Sequence, residues 1–331
     1  MGMIQVYLLF ALGIVLIVKG GDWFVEGAAW VARATGIPHF IVGATIVSLA
    51  TTLPEIMVST IAALEGRELR LSGFGDHLAA AGEKVGMAIG NGVGSVICNT
   101  ALVMSVSILF LPGPVERRSF APKALLMIAA VGALQLCVRS GALNVFGAGA
   151  LVLIFALFIY ENIRSAQGQM EQQTVMETPG KRAVIRHIFY ILMGAGAIVM
   201  GSQLLVDYGS RMAMGWGVSE AIIGVTMVAV GTSLPELVTA ITAVAKKETA
   251  MSLGNVMGAN IIDITLILAI CTFVYGGELP VSAQNIYLDF PVAMLVSLLA
   301  AVPVLVTGKT QKWQGICMIG LYILYLFLRL G

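Results

Sequence analysis

The sequence predicts an all-α membrane protein of ten transmembrane helices, arranged as two inverted repeats of five. Three observations carry that expectation. The 331-residue chain is 58% hydrophobic and only 11% charged, with mean hydropathy +0.94, where a water-soluble domain carries about 25% charged residues. Its apolar residues gather in runs of about 20 or more, the length that crosses a bilayer. A stretch in which glutamate directly follows proline occurs twice, as LATTLPE at 49–55 and as VGTSLPE at 230–236.

In chain order the runs place spans at 4–31, 39–64, 84–112, 121–138, 142–163, 187–213, 219–245, 250–275, 287–307 and 311–330. The first and sixth are long and must tilt to fit. The first lacks a basic leader and a small-residue cleavage site, so it reads as a retained helix rather than a signal peptide. Two stretches between spans are polar. EGRELRLSGFGDHLAAAGEK (65–84) joins spans two and three and reads as an added outer loop; the segment 164–186 reads as a linker between two halves, 1–163 and 187–331. With that linker in the cytoplasm, roughly twice as many basic residues fall on the cytoplasmic side as outside, the distribution the positive-inside rule requires. Arg117, Arg118, Lys246 and Lys247 are among them. Both termini then face outward, and the expected location is the plasma or bacterial inner membrane.

The repeat extends well beyond the seven-residue motif. A shift of 181 residues lays 20–55 over 201–236, matching Gly20 with Gly201, Gly36 with Gly217, Gly43 with Gly224 and Thr45 with Thr226. A shift of 164 lays GNGVGSVICN (90–99) over GNVMGANIID (254–263). The 65–84 stretch accounts for the difference between the shifts. The motif regions are therefore 43–55 and 90–99 in one copy, 224–236 and 254–263 in the other. Five spans per copy is an odd number, so the second copy crosses in the opposite sense. Inverted repeats with interrupted helices belong to secondary transporters, whose sites lie near the midplane where the repeats meet.

The repeated motif has a definite chemistry. In a helix Pro54 cannot donate to the carbonyl of Ala50, nor Pro235 to that of Gly231. Carbonyls freed in this way are tolerated in a membrane only where protein, water or an ion satisfies them. Ser48, Thr51 and Glu55 share one helical face, as do Ala229, Thr232 and Glu236; Ser95 and Asn99 lie one turn apart, as do Ala259 and Asp263. Together these helices offer carboxylates, hydroxyls, an amide and free carbonyls, the hard oxygen donors that suit calcium, sodium and similar ions. A carboxylate at the centre of a membrane helix costs about 2.5–3.5 kcal/mol on insertion scales. No lysine or arginine lies in the motifs to neutralise Glu55, Glu236 and Asp263, which leaves a bound cation as their natural partner.

Other classes are disfavoured. The three histidines are scattered, which argues against a zinc site or a Ser/His hydrolase. The four cysteines show no metal-ligand spacing and read as small buried residues. A net charge of +1 gives no sign of a nucleic-acid partner. Asp22, Glu26 and Asp207 read as solvated or capping groups toward span ends, and the methionines as core filler or lipid-facing. A cation channel could use the same ligands, but broken inverted repeats suit alternating access better.

At these residues the sequence resembles the calcium/cation antiporter superfamily, specifically the sodium/calcium exchangers of microbial type. Their two repeats carry G-T-S-x-P-E/D in one helix and G-N-x-x-G-S-N-x-x-N/D in the next. GTSLPE (231–236) and GNVMGANIID (254–263) match closely, ATTLPE (50–55) and GNGVGSVICN (90–99) more loosely. The resemblance implies a sodium/calcium exchanger-like fold and antiport of calcium against sodium by a secondary transporter, not an enzyme, with no cofactor. It further implies that Glu55 and Glu236 bind calcium centrally, helped by the carbonyls of Thr51 and Thr232. Thr52, Ser233, Ser95, Asn99, Asp263 and the carbonyls of Ser48 and Ala229 would complete adjoining sodium sites. Spans one and six would slide together across the other eight. Three departures bear on this: Ala259 replaces the usual serine, Ala50 and Thr52 replace Gly and Ser, and 65–84 has no counterpart. NIIDIT at 260–265 is similar to a run in potassium-dependent exchangers, which leaves potassium coupling open. The proton-coupled branch usually shows G-N-x-x-E, absent from both copies here.

Overall fold

A computed structural model describes residues 3–72, 75–170, 180–216, 231 and 233–330. Nearly all of these are helical. The elements are α1 (Met3–Thr35), α2 (His39–Thr51), α3 (Leu53–Ser72), α4 (His77–Phe110), α5 (Arg117–Cys137), β1 (Ala142–Asn144), α6 (Val145–Met170), α7 (Lys181–Gly215), α8 (Leu234–Ala245), α9 (Thr249–Tyr275), β2 (Glu278–Pro280), α10 (Asn285–Thr307) and α11 (Lys312–Leu330). Seven helices among the described residues are long and apolar enough to cross a membrane, eight if the bent pair α2–α3 counts as one span. The protein is an integral membrane protein. The seventh expected span, 219–245, lies partly outside the described residues; its described part is the 12-residue α8. The tenth corresponds to α11, a 19-residue helix outside that set.

Proline chemistry fixes the interruption of the second span. Its two pieces meet at Thr52 with a bend of 44°, because Pro54 withholds its N–H from the preceding turn and its ring crowds it. The Thr52 amide still closes onto the Ser48 carbonyl at 2.9 Å, and the Ile56 amide onto the Thr52 carbonyl at 3.0 Å. Three of the motif helices also contain a π-helical turn: Gly43–Val47 in α2, Asn99–Met104 in α4 and Asp263–Ile267 in α9. Such turns arise where tertiary contacts overrule the regular helix and gather at functional sites. Asn99 and Asp263, equivalent in the repeat, each occupy the first position of one.

The inverted symmetry is visible in the contacts. α1 and α7 pack antiparallel along their length, and their crossing points are small residues seven apart. A Cβ on Gly13 would stand 3.0 Å from the Gly201 carbonyl oxygen, and one on Gly20 would stand 2.9 Å from that of Gly194. Gly13 and Gly194 are repeat equivalents, as are Gly20 and Gly201, so the two contacts exchange under the repeat. Absent side chains let the backbones approach closely, which drives helix pairing in lipid. Trp30 stacks on His187 at 4.3 Å to extend the pairing toward one end. The loops behave alike: β1 pairs with β2, and Pro114 pairs with Lys309, each contact joining the loop of one repeat to the non-equivalent loop of the other. This small ribbon is the only departure from an all-helical fold among the described residues.

The 65–84 stretch is not a loop. Its two ends extend α3 and α4 into a helical hairpin around residues 73–74, which lie outside the described residues. Glu65 meets Lys84 at 2.5 Å, and Arg70 donates to the Tyr275 carbonyl at 2.9 Å while stacking on that ring. Polar composition suggested a loop; paired charges across an antiparallel hairpin account for it equally well. Of the four free cysteines, Cys98 and Cys271 are buried, Cys137 is half-buried and Cys317 is exposed on the outer face of α11.

Candidate cation site

The buried middle of the bundle is made by α2, α3, α4, α8 and α9. Glycine again permits the closest approach. A Cβ on Gly43 would collide with the Met251 carbonyl, one on Gly254 with the Phe40 carbonyl, and one on Gly258 would lie 2.6 Å from the Ala44 carbonyl and the Ser48 hydroxyl. The first-motif helix and the second-copy helix α9 are thereby pressed backbone to backbone, which brings their polar side chains into one region.

Most of the expected site residues lie there. Ser48, Thr51, Thr52, Glu55, Ser95, Asn99, Ser233, Glu236 and Asp263 are all buried. Thr232 and Ala229 lie outside the described residues. The three carboxylates are within mutual Coulombic range. No hydrogen bond of ordinary geometry reaches any carboxylate oxygen of Glu55, Glu236 or Asp263, nor the side chains of Ser95, Ser233 or Asn99. In a bundle where buried polar atoms are normally paired, this concentration of orphaned donor and acceptor atoms marks the place where something polar binds. Acceptor oxygens dominate the set, a donor chemistry that suits a cation. No three His, Cys, Asp or Glu side chains among the described residues form a group able to hold one metal ion; any ion here draws on hydroxyl, amide and carbonyl oxygens as well.

The hydroxyls are already oriented. The Thr52 hydroxyl donates to the Ser48 carbonyl at 2.7 Å. The Thr51 hydroxyl is shared between that carbonyl and Asn255 Oδ1, each at 3.3 Å. Both threonines neighbour Glu236.

Two asparagines missing from the sequence-based set hold this geometry. Asn91 Nδ2 donates to the Glu55 carbonyl at 3.2 Å and to the Ser59 hydroxyl at 2.9 Å. Its repeat equivalent Asn255 donates to the Thr239 hydroxyl at 3.0 Å while accepting from Thr51. Thr239 in turn donates to the carbonyls of Pro235 and Glu236, both at 2.9 Å. Each asparagine thus ties one motif helix to the glutamate-bearing helix. The signal is present in the sequence, since both follow the first glycine of the GN motif.

Comparison with known proteins bears on the family and the fold. The profile of the family described as sodium/calcium exchanger protein matches residues 5–164 and 186–331. The sodium/calcium exchanger MaX1 of Methanosarcina acetivorans is 26% identical, covering 97% of each chain. The inner membrane protein YrbG of Escherichia coli is 30% identical, covering 88% of this chain and 86% of its own. A structure of the sodium-calcium exchanger NCX_Mj, soaked with 2.5 mM Na+ and 10 mM Sr2+, superposes with a TM-score of 0.82 at 28% identity, covering 98% of this chain and 99% of the other.

Proposed function

This chain belongs to the sodium/calcium exchanger protein family, and from that premise we propose that it extrudes calcium at the expense of sodium inflow through a site centred on Glu55 and Glu236. The observation that carries the proposal is the unpartnered set of buried carboxylates where the two repeats meet. Calcium is held between Glu55 and Glu236 with the carbonyls of Thr51 and Thr232. Sodium ions occupy adjoining positions offered by Thr52, Ser233, Ser95, Asn99, Asp263 and the carbonyls of Ser48 and Ala229. These ions are cargo; the chain needs no cofactor, and its surroundings are the lipid bilayer.

Charge explains why the ions exchange rather than leak. Glu55, Glu236 and Asp263 would leave three negative charges in a nearly dry interior, a state too costly to carry across empty. Three sodium ions neutralise it; one calcium leaves a single charge for a proton or a monovalent ion. Sodium and calcium compete for shared oxygens, and a filled site permits the conformational change. The halves 1–163 and 187–331 form the two repeats, joined by a cytoplasmic linker at 164–186, and both termini face outward. The gap in the family match between 164 and 186 supports that division.

The test is calcium uptake into proteoliposomes under an outward sodium gradient. The wild-type protein accumulates labelled calcium, and potassium or proton gradients alone do not replace sodium. Glu236→Gln, which keeps the shape and removes the charge, abolishes uptake by about 100-fold or more, since an ion in a desolvated site depends on its paired charge. Undiminished uptake by that variant would sink the site assignment.

A further inference from the structure

The repeat equivalents α1 and α7 are not equally engaged, and the difference leaves a group of acidic and polar residues beside a cavity. On α1, Asp22 and Glu26 are occupied: Lys246, at the end of α8, sits 3.7 Å from Asp22 and 4.0 Å from Glu26 and donates to the Asp22 carbonyl at 3.1 Å. The same turn presents Glu248 to Arg33 at 3.5 Å and in direct contact with His39. Gly21 lets α1 lie against α8, since a Cβ there would stand 2.7 Å from the Thr242 hydroxyl. The linker end of the bundle is closed between these helices.

At the opposite end the corresponding positions line a cavity. Gln203 and Asp207 on α7 are the equivalents of Asp22 and Glu26, and Ser202 is the equivalent of Gly21. α7 and α3 scarcely touch, and between them lies a cavity of about 220 Å³. Pro54, Pro235, Gly231, Ser202, Gln203 and Asp207 are among its lining residues. The two prolines directly precede Glu55 and Glu236. The Ser202 hydroxyl is buried with no hydrogen-bond partner. The equivalent of Lys246 is Glu65, whose partner is Lys84 rather than Asp207.

We propose that Asp207, with Gln203 and Ser202, forms an access subsite that attracts the cation substrate into this cavity from the side opposite the linker. The proposal rests on the exchanger reading above. A carboxylate at the mouth of a low-dielectric cleft raises the local concentration of cations, and the neighbouring amide and hydroxyl supply neutral oxygens to a partly hydrated ion.

The experiment measures sodium-dependent calcium flux in vesicles of known orientation, with calcium offered to one side at a time and ionic strength set by choline chloride. For Asp207→Asn, the calcium concentration giving half-maximal flux from the side opposite the linker rises about five-fold at low ionic strength, the size expected of one charge acting on a divalent ion at about 8 Å through water. It rises much less at about 0.5 M salt. The maximal rate and the half-maximal concentration from the linker side stay as in the wild type, and Asp207→Glu restores the original value. A shift that is equal on both sides, or absent, overturns the proposal. Should the asparagine variant not fold, the wild-type protein decides: its half-maximal concentration depends more steeply on salt from the side opposite the linker, and equal slopes overturn the proposal. Loss of all wild-type exchange would contradict the exchanger reading instead, so the two failures are distinguishable.

Discussion

Two pairs of helices divide the labour of this molecule. Along α1 and α7, 28% of each apolar window is buried, whereas 72% is buried along α4 and 83% along α9. Both pairs rely on glycine for close approach, but with different surroundings. α1 and α7 touch mainly each other and leave much of their remaining surface exposed, while Phe24, Val25, Ala28 and Ala29 of α1 also join a smaller buried cluster with Val42, Val47, Ala243 and Met251. α4 and α9 are enclosed on every side and carry Ser95, Asn99, Asn255 and Asp263. The contrast teaches that one packing device serves both a pair of helices with largely exposed outer faces and a pair enclosed by protein.

Glycine substitution is the strongest way to break this contrast. Gly254→Ala drives a methyl group into the Phe40 carbonyl inside a region that cannot relax. It is expected to cost at least about 3 kcal/mol and to abolish a cooperative melt in detergent. Gly20→Ala meets the Gly194 carbonyl at 2.9 Å, but α7 can yield into lipid. Its expected cost is about 1 kcal/mol, with a folded protein whose exchange is slowed. Thermal melts of the purified variants check the order; equal losses at both positions would remove the distinction between the pairs.

A gentler change sharpens the comparison from inside the core. Ala259 is fully buried on α9, beside the π turn that begins at Asp263. Ala259→Ser adds one oxygen to the candidate sodium ligands without adding bulk beyond an atom. Stability should change by less than about 1 kcal/mol, while the sodium dependence of calcium flux becomes steeper. An unaltered sodium curve would place residue 259 away from the ions.

Much of this was legible in the sequence, for reasons that differ by residue. Pro54 and Glu55 are unfavourable in a membrane helix, and their recurrence as Pro235 and Glu236 made function a better explanation than accident. The asymmetric pair Asn99 and Asp263 followed from the shift between copies. Harder to read were features that depend on a partner. The glycines at 13, 20, 194 and 201 have a seven-residue period, but only antiparallel packing shows that they face one another. The roles of Asn91 and Asn255 depend on where Glu55 and Thr239 stand across the helix interface. The hairpin at 65–84 resembles a loop until Glu65 is seen opposite Lys84. Asp22 and Asp207 look alike in sequence, and only the structure separates an acid held by Lys246 from one facing a cavity.

Cross-linking tests most directly the claim that α1 and α7 move together against a fixed core. In a background with the four native cysteines replaced, Gly21→Cys with Thr242→Cys joins α1 to α8; the ideal Cβ of residue 21 lies 3.6 Å from that of Thr242, within disulfide range. Gly13→Cys with Leu204→Cys joins α1 to α7; the corresponding separation is 3.1 Å, so the two helices must part by about 0.4 Å to reach disulfide range. Sodium-driven calcium uptake should stop when the first pair is oxidised and return on reduction, while oxidation of the second pair leaves it largely intact. Uptake that survives an oxidised link between α1 and α8 would contradict the account.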